Sequence, residues 1–431
     1  MGTVPDQGLS LARDCPLNRY LLQRPVRSIV EALGRLSRLW LKKGYPYRKK
    51  AVHRLVSRSG FTAPMAQAML DALFRELTAP KLWALLKTEL GDPRVLDEFR
   101  RDPVSGNRVR ARGPEFITHV FSANVPNPSI LSFVFGMLVK SANVGKLSAR
   151  DEGFLDIYLD SLRSLDPKLA GVNSLIPPGR KDILEKVLKI SKAVVAYGQN
   201  ETLEELRAQV PSAAFFGYGH RVSFGLYTRG ALAERSVRAL AMKTARDVWM
   251  MDQRGCLSPV TVYVQKGGGV TPFRFSAMLA EKLEKLSAGE RKVFPLTRIL
   301  GSESVKDIFK IKKIKGEKIE MWEPRRKGAW LVAYDEKPGA AAWLSGGQRV
   351  TVKAFGNVRE VFRVLPLLRN SLQAVALEAL GRERAALAER LSALGVNRVC
   401  RAGKMQEPPI FWHHDGRPNL AEWVTWTDLE D

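Results

Sequence analysis

Cysteine, histidine and acidic residues are all scarce in this 431-residue chain. Its three cysteines, Cys15, Cys256 and Cys400, are too few and too scattered for a disulfide framework or a Cys-based zinc site. Five histidines leave little for a His-rich cluster, so no metal is expected. No apolar run approaches the roughly 18 residues of a membrane span, and the most apolar stretch, Ile130 to Val139, has the length of a buried helix. The N-terminus MGTVPDQGLSLARDC has no apolar signal core. These absences favour a cytoplasmic protein without a transmembrane segment. The shortage of acid has its own consequence. Lys and Arg number 69 against 44 Asp and Glu, a net charge of +25, which favours anionic partners: nucleic acid, anionic lipid or ligands carrying several phosphates. Charge alone leaves a basic nucleic-acid-binding protein open as one reading. No recognised DNA-binding spacing accompanies it, so no specific nucleic acid is expected.

The chain is long enough for two or three domains with a large core. Its first hundred residues read as helical. Val26, Ile29, Val30, Leu33, Leu36 and Trp40 recur at the spacing of one buried helix face. Thr62 and Pro64 open a second helix, and Thr78 and Pro80 a third that stops at Gly91. The middle alternates β-like runs with helices, as a parallel α/β sheet requires. These runs are HVFSAN (His119 to Asn124), AVVAYG (Ala193 to Gly198), AAFFG (Ala213 to Gly217) and PVTVYVQ (Pro259 to Gln265). The turns after such strands are where nucleotides and substrates bind in open α/β sheets. Phe309 to Lys327 alternates apolar and basic residues and predicts a sheet edge with one wet face. Glu360 to Gly395 reads as helical, and the tail NLAEWVTWTDLE ends in a period-two strand pattern.

Four places carry residues suited to chemistry. Cys256 follows Gly255 on a tight turn ahead of a strand, where a thiolate can reach a carbonyl carbon; a small buried hydrophobe is the competing use. Asn124 ends a strand before Pro126 and Pro128, where its amide can donate to an oxyanion or merely satisfy a turn. Lys146 follows Gly145 at the end of the next strand, with Ser148 and Arg150 close behind, and can bind a ribose or phosphate or simply be solvated. Gly217 and Gly219 let backbone approach a pyrophosphate, although two glycines fall short of a dinucleotide fingerprint.

The order of these pieces, a turn Asn, a strand-end Lys, a Gly loop and a Cys ahead of a strand, resembles the aldehyde dehydrogenase superfamily. The runs FSANVPNPSILSFVFGMLVKSANVGKLSARDEGF, VVAYGQNETLEELR, FFGYGHRVSFG, DVWMMDQRGCLSPVTVYV and HHDGRPNLAEWVTWTDLE resemble one branch of it, the acyl-CoA reductases of the bacterial luminescence type (the LuxC family). The likeness runs from about Gly44 to the C-terminus.

The resemblance implies an aldehyde-dehydrogenase-like α/β fold: a Rossmann-type cofactor domain and an α/β catalytic domain behind a helical N-terminal region. It places the helical region and NAD(P)-binding domain in residues 1–235, the catalytic domain in 236–395, and a returning segment with an oligomerisation strand in 396–431. Cys256 matches the cysteine that forms an acyl thioester, and Asn124 the residue that cradles the thioester oxygen. Lys146 matches the lysine on the adenosine ribose, with Ser148, Arg150, Gly198, Gly217 and Gly219 around the cofactor. The place of an NAD-gripping Glu is Ala149, with Arg150 adjacent, which points to NADPH. No water-activating ELGG run exists between Gly219 and Cys256, as suits a reductase that must keep water from its acyl-enzyme. His220 stands near that place, either as acid or base or as a structural histidine. The implied reaction is NADPH-dependent reduction of a long-chain fatty acyl-CoA thioester to the aldehyde. The implied partners are fatty acyl-CoA, further copies of the chain in a dimer or tetramer, and acyl-protein synthetase or thioesterase subunits. A reductase subunit fed by such a synthetase within a multi-enzyme complex is the alternative.

Overall fold

Amphipathic helices build the N-terminal region where the apolar spacing predicts them. Val26–Leu41 buries Val26, Ile29, Val30, Leu33, Leu36 and Trp40 along one face. Thr62 caps Ala63–Glu76, accepting a hydrogen bond from the Met65 N–H at 3.2 Å. Ala79–Leu90 ends at Gly91, whose φ of 73° suits a residue without Cβ. Trp40 anchors this core, stacked on Phe74 at 4.6 Å with its indole N–H donating to Ser161 Oγ at 2.8 Å.

The computed structural model describes residues 16–122, 125–148, 153–287, 296–325, 328–339 and 346–430. The chain divides into two units, Met1–His220 with Pro409–Asp431, and Arg221–Pro408. In the first unit, β1 (Arg100–Arg101) and β2 (Arg108–Arg112) form a hairpin. Five parallel strands follow: β3 (Phe116–Val120), β4 (Ala142–Lys146), β5 (Asn173–Ile176), β6 (Ala193–Tyr197) and β7 (Ala214–Tyr218). Their order is β5-β4-β3-β6-β7. The chain therefore starts in the middle, winds outward through β4 and β5, and returns beside β3 to continue through β6 and β7. The reversal lies between β3 and β6, the switch point where such sheets open a crevice at their carboxyl ends. Strand β3 begins three residues earlier than the HVFSAN reading, because FITHV is the run buried on both faces.

A buried polar chain crosses this sheet. His119 Nδ1 pairs with Ser132 Oγ and Nε2 with Asn143 Oδ1, both at 2.8 Å. Asn143 Nδ2 in turn donates to Asn173 Oδ1 at 2.7 Å. Burial pushes the His119 pKa down to about 3, outweighing the Asn143 bond that favours the charged ring, so the imidazole is neutral.

The second unit holds β8 (Val222–Tyr227), β9 (Pro259–Gln265), β10 (Ile319–Trp322), β11 (Leu331–Asp335), β12 (Arg349–Phe355), β13 (Leu372–Glu378) and β14 (Arg398–Cys400). Their order is β10-β11-β12-β9-β8-β13-β14, with every pair parallel except the β10–β11 edge. Because β8 pairs with β9 and β13, the division falls at 220, where the sequence reading placed it at 235. The second boundary falls at 408 instead of 395, since β14 also belongs to this sheet.

Two expected elements are corrected here. Phe309 to Ile314 completes the helix Leu296–Ile314, and only Ile319–Trp322 of the predicted edge is a strand. Val305 and Phe309, four apart, pack with Ile319 and Leu331 while Ile311 and Ile314 face solvent, so the helical period prevails over the alternation. Glu360 to Gly395 is not one helical segment. Its run LQAVALE is β13, buried between β8 and β14. Leu, Gln, Ala and Glu favour helices intrinsically, and the buried slot between two strands overrides that preference.

The return segment ends in β15 (Thr425–Leu429), the strand predicted from the tail. It pairs antiparallel with β2 of its own chain and is the edge of the sheet β1-β2-β15. Among the described residues no helix is long and apolar enough to cross a membrane.

Candidate active site

The carboxyl ends of the five parallel strands gather most of the cofactor candidates. Lys146 is the last residue of β4, half-buried, with Ser148 two residues beyond. The Phe121 N–H donates to the Lys146 carbonyl at 3.0 Å and ties the ends of β3 and β4 together. Gly198 follows β6 and donates its N–H to the Tyr218 carbonyl at 3.2 Å. Gly217 lies within β7, opposite Ala196, and Gly219 follows the strand. A Cβ at Gly219 would lie 2.4 Å from Asn200 Oδ1, so a side chain here requires the exposed Asn200 amide to swing aside. Lys146, Ser148, Gly198, Gly217 and Gly219 thus share one edge of one sheet. His220, exposed, ends the unit. Asn124 and Arg150 lie outside the described residues.

Sequence reasoning missed an aromatic row along this edge. Phe121 stacks toward Tyr197 at 5.9 Å, Tyr197 on Tyr218 at 4.8 Å, and Tyr218 on His414 at 4.5 Å. Trp412 closes the row 4.9 Å from His414. Burial and the nearby Asp415 carboxylate raise the Tyr218 pKa, so its phenol keeps its proton. The sequence signal was an aromatic before each strand-end glycine, Tyr197-Gly198 and Tyr218-Gly219. His414 of the HHDG run was too distant in sequence to be joined to them.

Cys256 is positioned in the second unit by a turn that the sequence also did not reveal. The helix Glu234–Trp249 ends in three consecutive left-handed residues, Met251, Asp252 and Gln253, with φ of 53°, 55° and 58°. Such a run of residues with Cβ atoms is costly and persists only when the surroundings hold it. Here they do. Gln253 Nε2 donates to the Pro259 and Arg349 carbonyls at 2.9 and 2.6 Å, and its Oε1 accepts from the Arg349 N–H at 2.6 Å. Buried Asp252 accepts from Gln348 Nε2 at 3.0 Å. Gly346 and Gly347 donate their N–H groups to the Gln253 and Asp252 carbonyls, both at 3.1 Å.

The chain then turns through Arg254 and Gly255 to Cys256. The turn closes with the Ser258 N–H on the Gly255 carbonyl at 3.0 Å, and β9 begins at Pro259. Ser223 Oγ donates to the Cys256 carbonyl at 2.6 Å, and Gln373 Nε2 lies 4.0 Å from Cys256 Sγ. Cys256 is half-buried, and its sulfur stands before the amino ends of β8, β9 and β13. At Cys400, which ends β14, burial pushes the thiol up to about 11, against the lowering influence of Arg398, and keeps it protonated near neutral pH. Cys15 lies outside the described residues.

Glu234, the one carboxylate between Gly219 and Asp247, opens the Glu234–Trp249 helix with an exposed side chain paired with Arg274. It holds a surface position. Away from both sheets, a groove of about 700 Å³ is lined by Lys49, Lys50, His53, Arg54 and Arg58 opposite Asp156 and Asp160. It contains part of the surplus positive charge.

Comparison with known proteins identifies the fold and the family. Solved aldehyde dehydrogenases share the fold. The glyceraldehyde-3-phosphate dehydrogenase GapN of Methanocaldococcus jannaschii, complexed with NADP, superimposes with a TM-score of 0.71 at 11% identity, over 98% of this chain and 93% of that one. A proline utilization A (PutA) mutant of Bradyrhizobium japonicum gives 0.75 at 14% identity, over 100% of this chain and 45% of that one. Among curated proteins, the long-chain acyl-protein thioester reductase of Photorhabdus luminescens is 23% identical over 422 residues, 94% of this chain and 82% of the relative. That of Vibrio harveyi is 24% identical over 296 residues, 65% of this chain and 60% of the relative. The acyl-CoA reductase (LuxC) family matches residues 21–426, nearly the whole chain, and the chain belongs to that family.

Proposed function

We propose that the protein reduces a long-chain fatty acyl thioester to the aldehyde with NADPH, through an acyl group held covalently on Cys256. The observation that carries this reading is the presentation of Cys256 on a braced left-handed turn, half-exposed, beside the amide of Gln373. The family description names acyl-CoA and the relatives' names an acyl-protein thioester. Either donor delivers the same carbonyl to the same sulfur.

The thiolate of Cys256 attacks the thioester carbonyl, a tetrahedral adduct forms, and the donor's sulfur leaves with the C–S electron pair and takes a proton. Asn124 and the Cys256 N–H stabilise the oxyanion in this proposal. The residues at the carboxyl ends of β3, β4, β6 and β7 fit a nicotinamide dinucleotide. Gly219 carries no side chain of its own where backbone must come close, and Lys146 ends β4, where its ammonium would meet ribose or phosphate. Lys146, Ser148 and Arg150 would hold the adenosine end, with Gly198, Gly217 and Gly219 beside the phosphates. The absence of a carboxylate at Ala149 supports NADPH. When bound, that cofactor supplies the hydride that takes the acyl carbon to the aldehyde level. The resulting tetrahedral oxyanion on Cys256 takes a proton from water or from His220 to give the thiohemiacetal, which collapses as its C–S electron pair returns to sulfur and its hydroxyl proton goes back to the same group. Released aldehyde leaves the cysteine ready for another turn. Further copies of the chain, and a synthetase or thioesterase supplying acyl groups in the cytoplasm, complete the proposal.

The test is NADPH consumption with a series of acyl-CoA lengths and with a protein-bound acyl thioester, alongside Cys256→Ala. Acyl-dependent NADPH oxidation that survives in Cys256→Ala defeats the mechanism. Asn124→Ala slows acylation by about 10²- to 10³-fold, as removal of an oxyanion donor does.

A further inference from the structure

Gln373 is the second residue of β13 and is fully buried. Buried primary amides normally use both ends of the side chain. Two other buried glutamines of the same unit do so. Gln253 accepts from Arg349 and donates to two carbonyls. Gln265 accepts from the Arg229 N–H at 3.0 Å and donates to the Gly356 carbonyl at 3.1 Å. Gln373 differs. Among the described residues its Oε1 has no hydrogen-bond partner, and its Nε2 meets Cys256 Sγ at 4.0 Å. Its backbone carbonyl is occupied by the Asn397 N–H at 2.9 Å, so the strand itself is satisfied and only the side chain is left to the sulfur.

A second contact holds the backbone of the cysteine. Ser223, second residue of β8, donates to the Cys256 carbonyl at 2.6 Å and accepts the N–H of Ala374, the neighbour of Gln373, at 3.2 Å. One hydroxyl therefore binds the cysteine's backbone and the strand that carries the amide.

We infer that Gln373 is a further catalytic residue, whose amide N–H donates to the Cys256 thiolate, and that Ser223 is the positioning residue that sets the sulfur against it. This rests on Cys256 being the nucleophile. An N–H donor favours the charged form of its acceptor, so the amide raises the fraction of sulfur present as thiolate. Leucine or methionine would fill this buried slot without an unpaired oxygen, and neither would act on the sulfur.

The experiment is alkylation of the full-length native protein by iodoacetamide from pH 5 to 10, with modification at Cys256 read by peptide mass spectrometry. Gln373→Leu moves the midpoint of Cys256 alkylation up by about half to one pH unit, which slows alkylation below the midpoint about three- to tenfold. Gln373→Glu moves it further, because a carboxylate opposes the thiolate. Should Gln373→Leu fail to fold, Gln373→Asn keeps an amide in the core while withdrawing it from the sulfur, and gives the same upward shift. Ser223→Ala lowers the acylation rate at every pH, and Ser223→Thr, which retains the hydroxyl, restores it. An unchanged midpoint in a folded Gln373→Leu or Gln373→Asn overturns the inference. Failure of the underlying reading is separate: it is acyl reduction persisting in Cys256→Ala, whatever the alkylation midpoints show.

Discussion

In the five-stranded sheet the candidate residues gather at the carboxyl ends, whereas in the seven-stranded sheet Cys256 stands before the amino ends of the strands. The contrast follows from what occupies the other ends. At the carboxyl end of β11 the buried Asp335 binds Lys353 Nζ at 2.7 Å and Lys312 Nζ at 2.8 Å. At the end of β13, Glu378 accepts from the Ala402 N–H at 2.8 Å and pairs with Arg401 at 2.9 Å. Gln265 closes the end of β9 with both ends of its amide. These carboxyl ends are shut by polar groups that satisfy one another. The five-stranded sheet leaves its ends to glycine turns and to Lys146, for which no ion pair is recorded among the described residues. A parallel sheet offers sites at its carboxyl ends, and internal polar bonding can close them.

The sharpest break of this comparison uses the two described cysteines. Cys256→Ala abolishes both acyl labelling and acyl-dependent NADPH oxidation, while Cys400→Ala retains both, since the Cys400 thiol stays protonated. Equal loss in the two variants removes the distinction between the ends of the second sheet.

Stability provides the next contrast. Asp335→Ala strands the buried Lys353 ammonium and destabilises the protein by about 3–5 kcal/mol, measured by urea denaturation. Replacing both partners, Asp335→Leu with Lys353→Met, recovers most of that loss. Lys146→Met, at the open end of the other sheet, changes stability by about 0.5 kcal/mol or less and instead raises KM for NADPH. A large stability loss at Lys146 with unchanged KM shows that end to be structural as well.

The smallest effect is a pair of opposed pH dependences. The folded His119 pKa of about 3 lies below the ordinary value of 6.5, so the unfolded state binds more protons between them. Stability from this group is complete above about pH 6.5 and is lost as pH falls toward 3. Asp247 behaves oppositely. Burial raises its carboxyl to about 7, against the lowering pull of the Gly403 and Met405 N–H groups, so the folded state binds more protons from about pH 4 to 7. Its contribution is complete below pH 4 and is lost as pH rises through 7. Each slope is about 1.4 kcal/mol per pH unit within its window, and the two offset each other where the windows overlap. His119→Gln unmasks the fall with rising pH, and Asp247→Asn the fall with acid, in melting temperatures taken from pH 4 to 7. Parallel profiles for wild type and both variants contradict both assignments.

Much of the first sheet was legible because its strands are short apolar runs closed by Gly, Asn or Pro, and local signals of that kind survive in one dimension. Lys146 and the strand-end glycines were readable for the same reason. In the second sheet, PVTVYVQ was readable and LQAVALE was not, since its residues favour helices and only the slot between β8 and β14 makes them a strand. Gln373 was hidden with it. The left-handed turn at Met251 to Gln253 carries no glycine, so no residue type announced it. The bonds that hold it come from Gln348 and Arg349, nearly a hundred residues away.

By itself the sequence determined the class of the protein, through its scarcity of cysteine, its helical and β periods, and the order Asn124, Lys146, Gly217, Gly219, Cys256. Tertiary structure decided which of those residues share an edge and what stands beside the sulfur. It also decided that the tail strand Thr425–Leu429 pairs with β2, some three hundred residues earlier in the chain, and forms the edge of that sheet. The reason is physical. Turn chemistry and hydrophobic period are properties of neighbours in the chain, whereas a buried amide against a thiol, or a strand in its slot, depends on residues brought together only by folding.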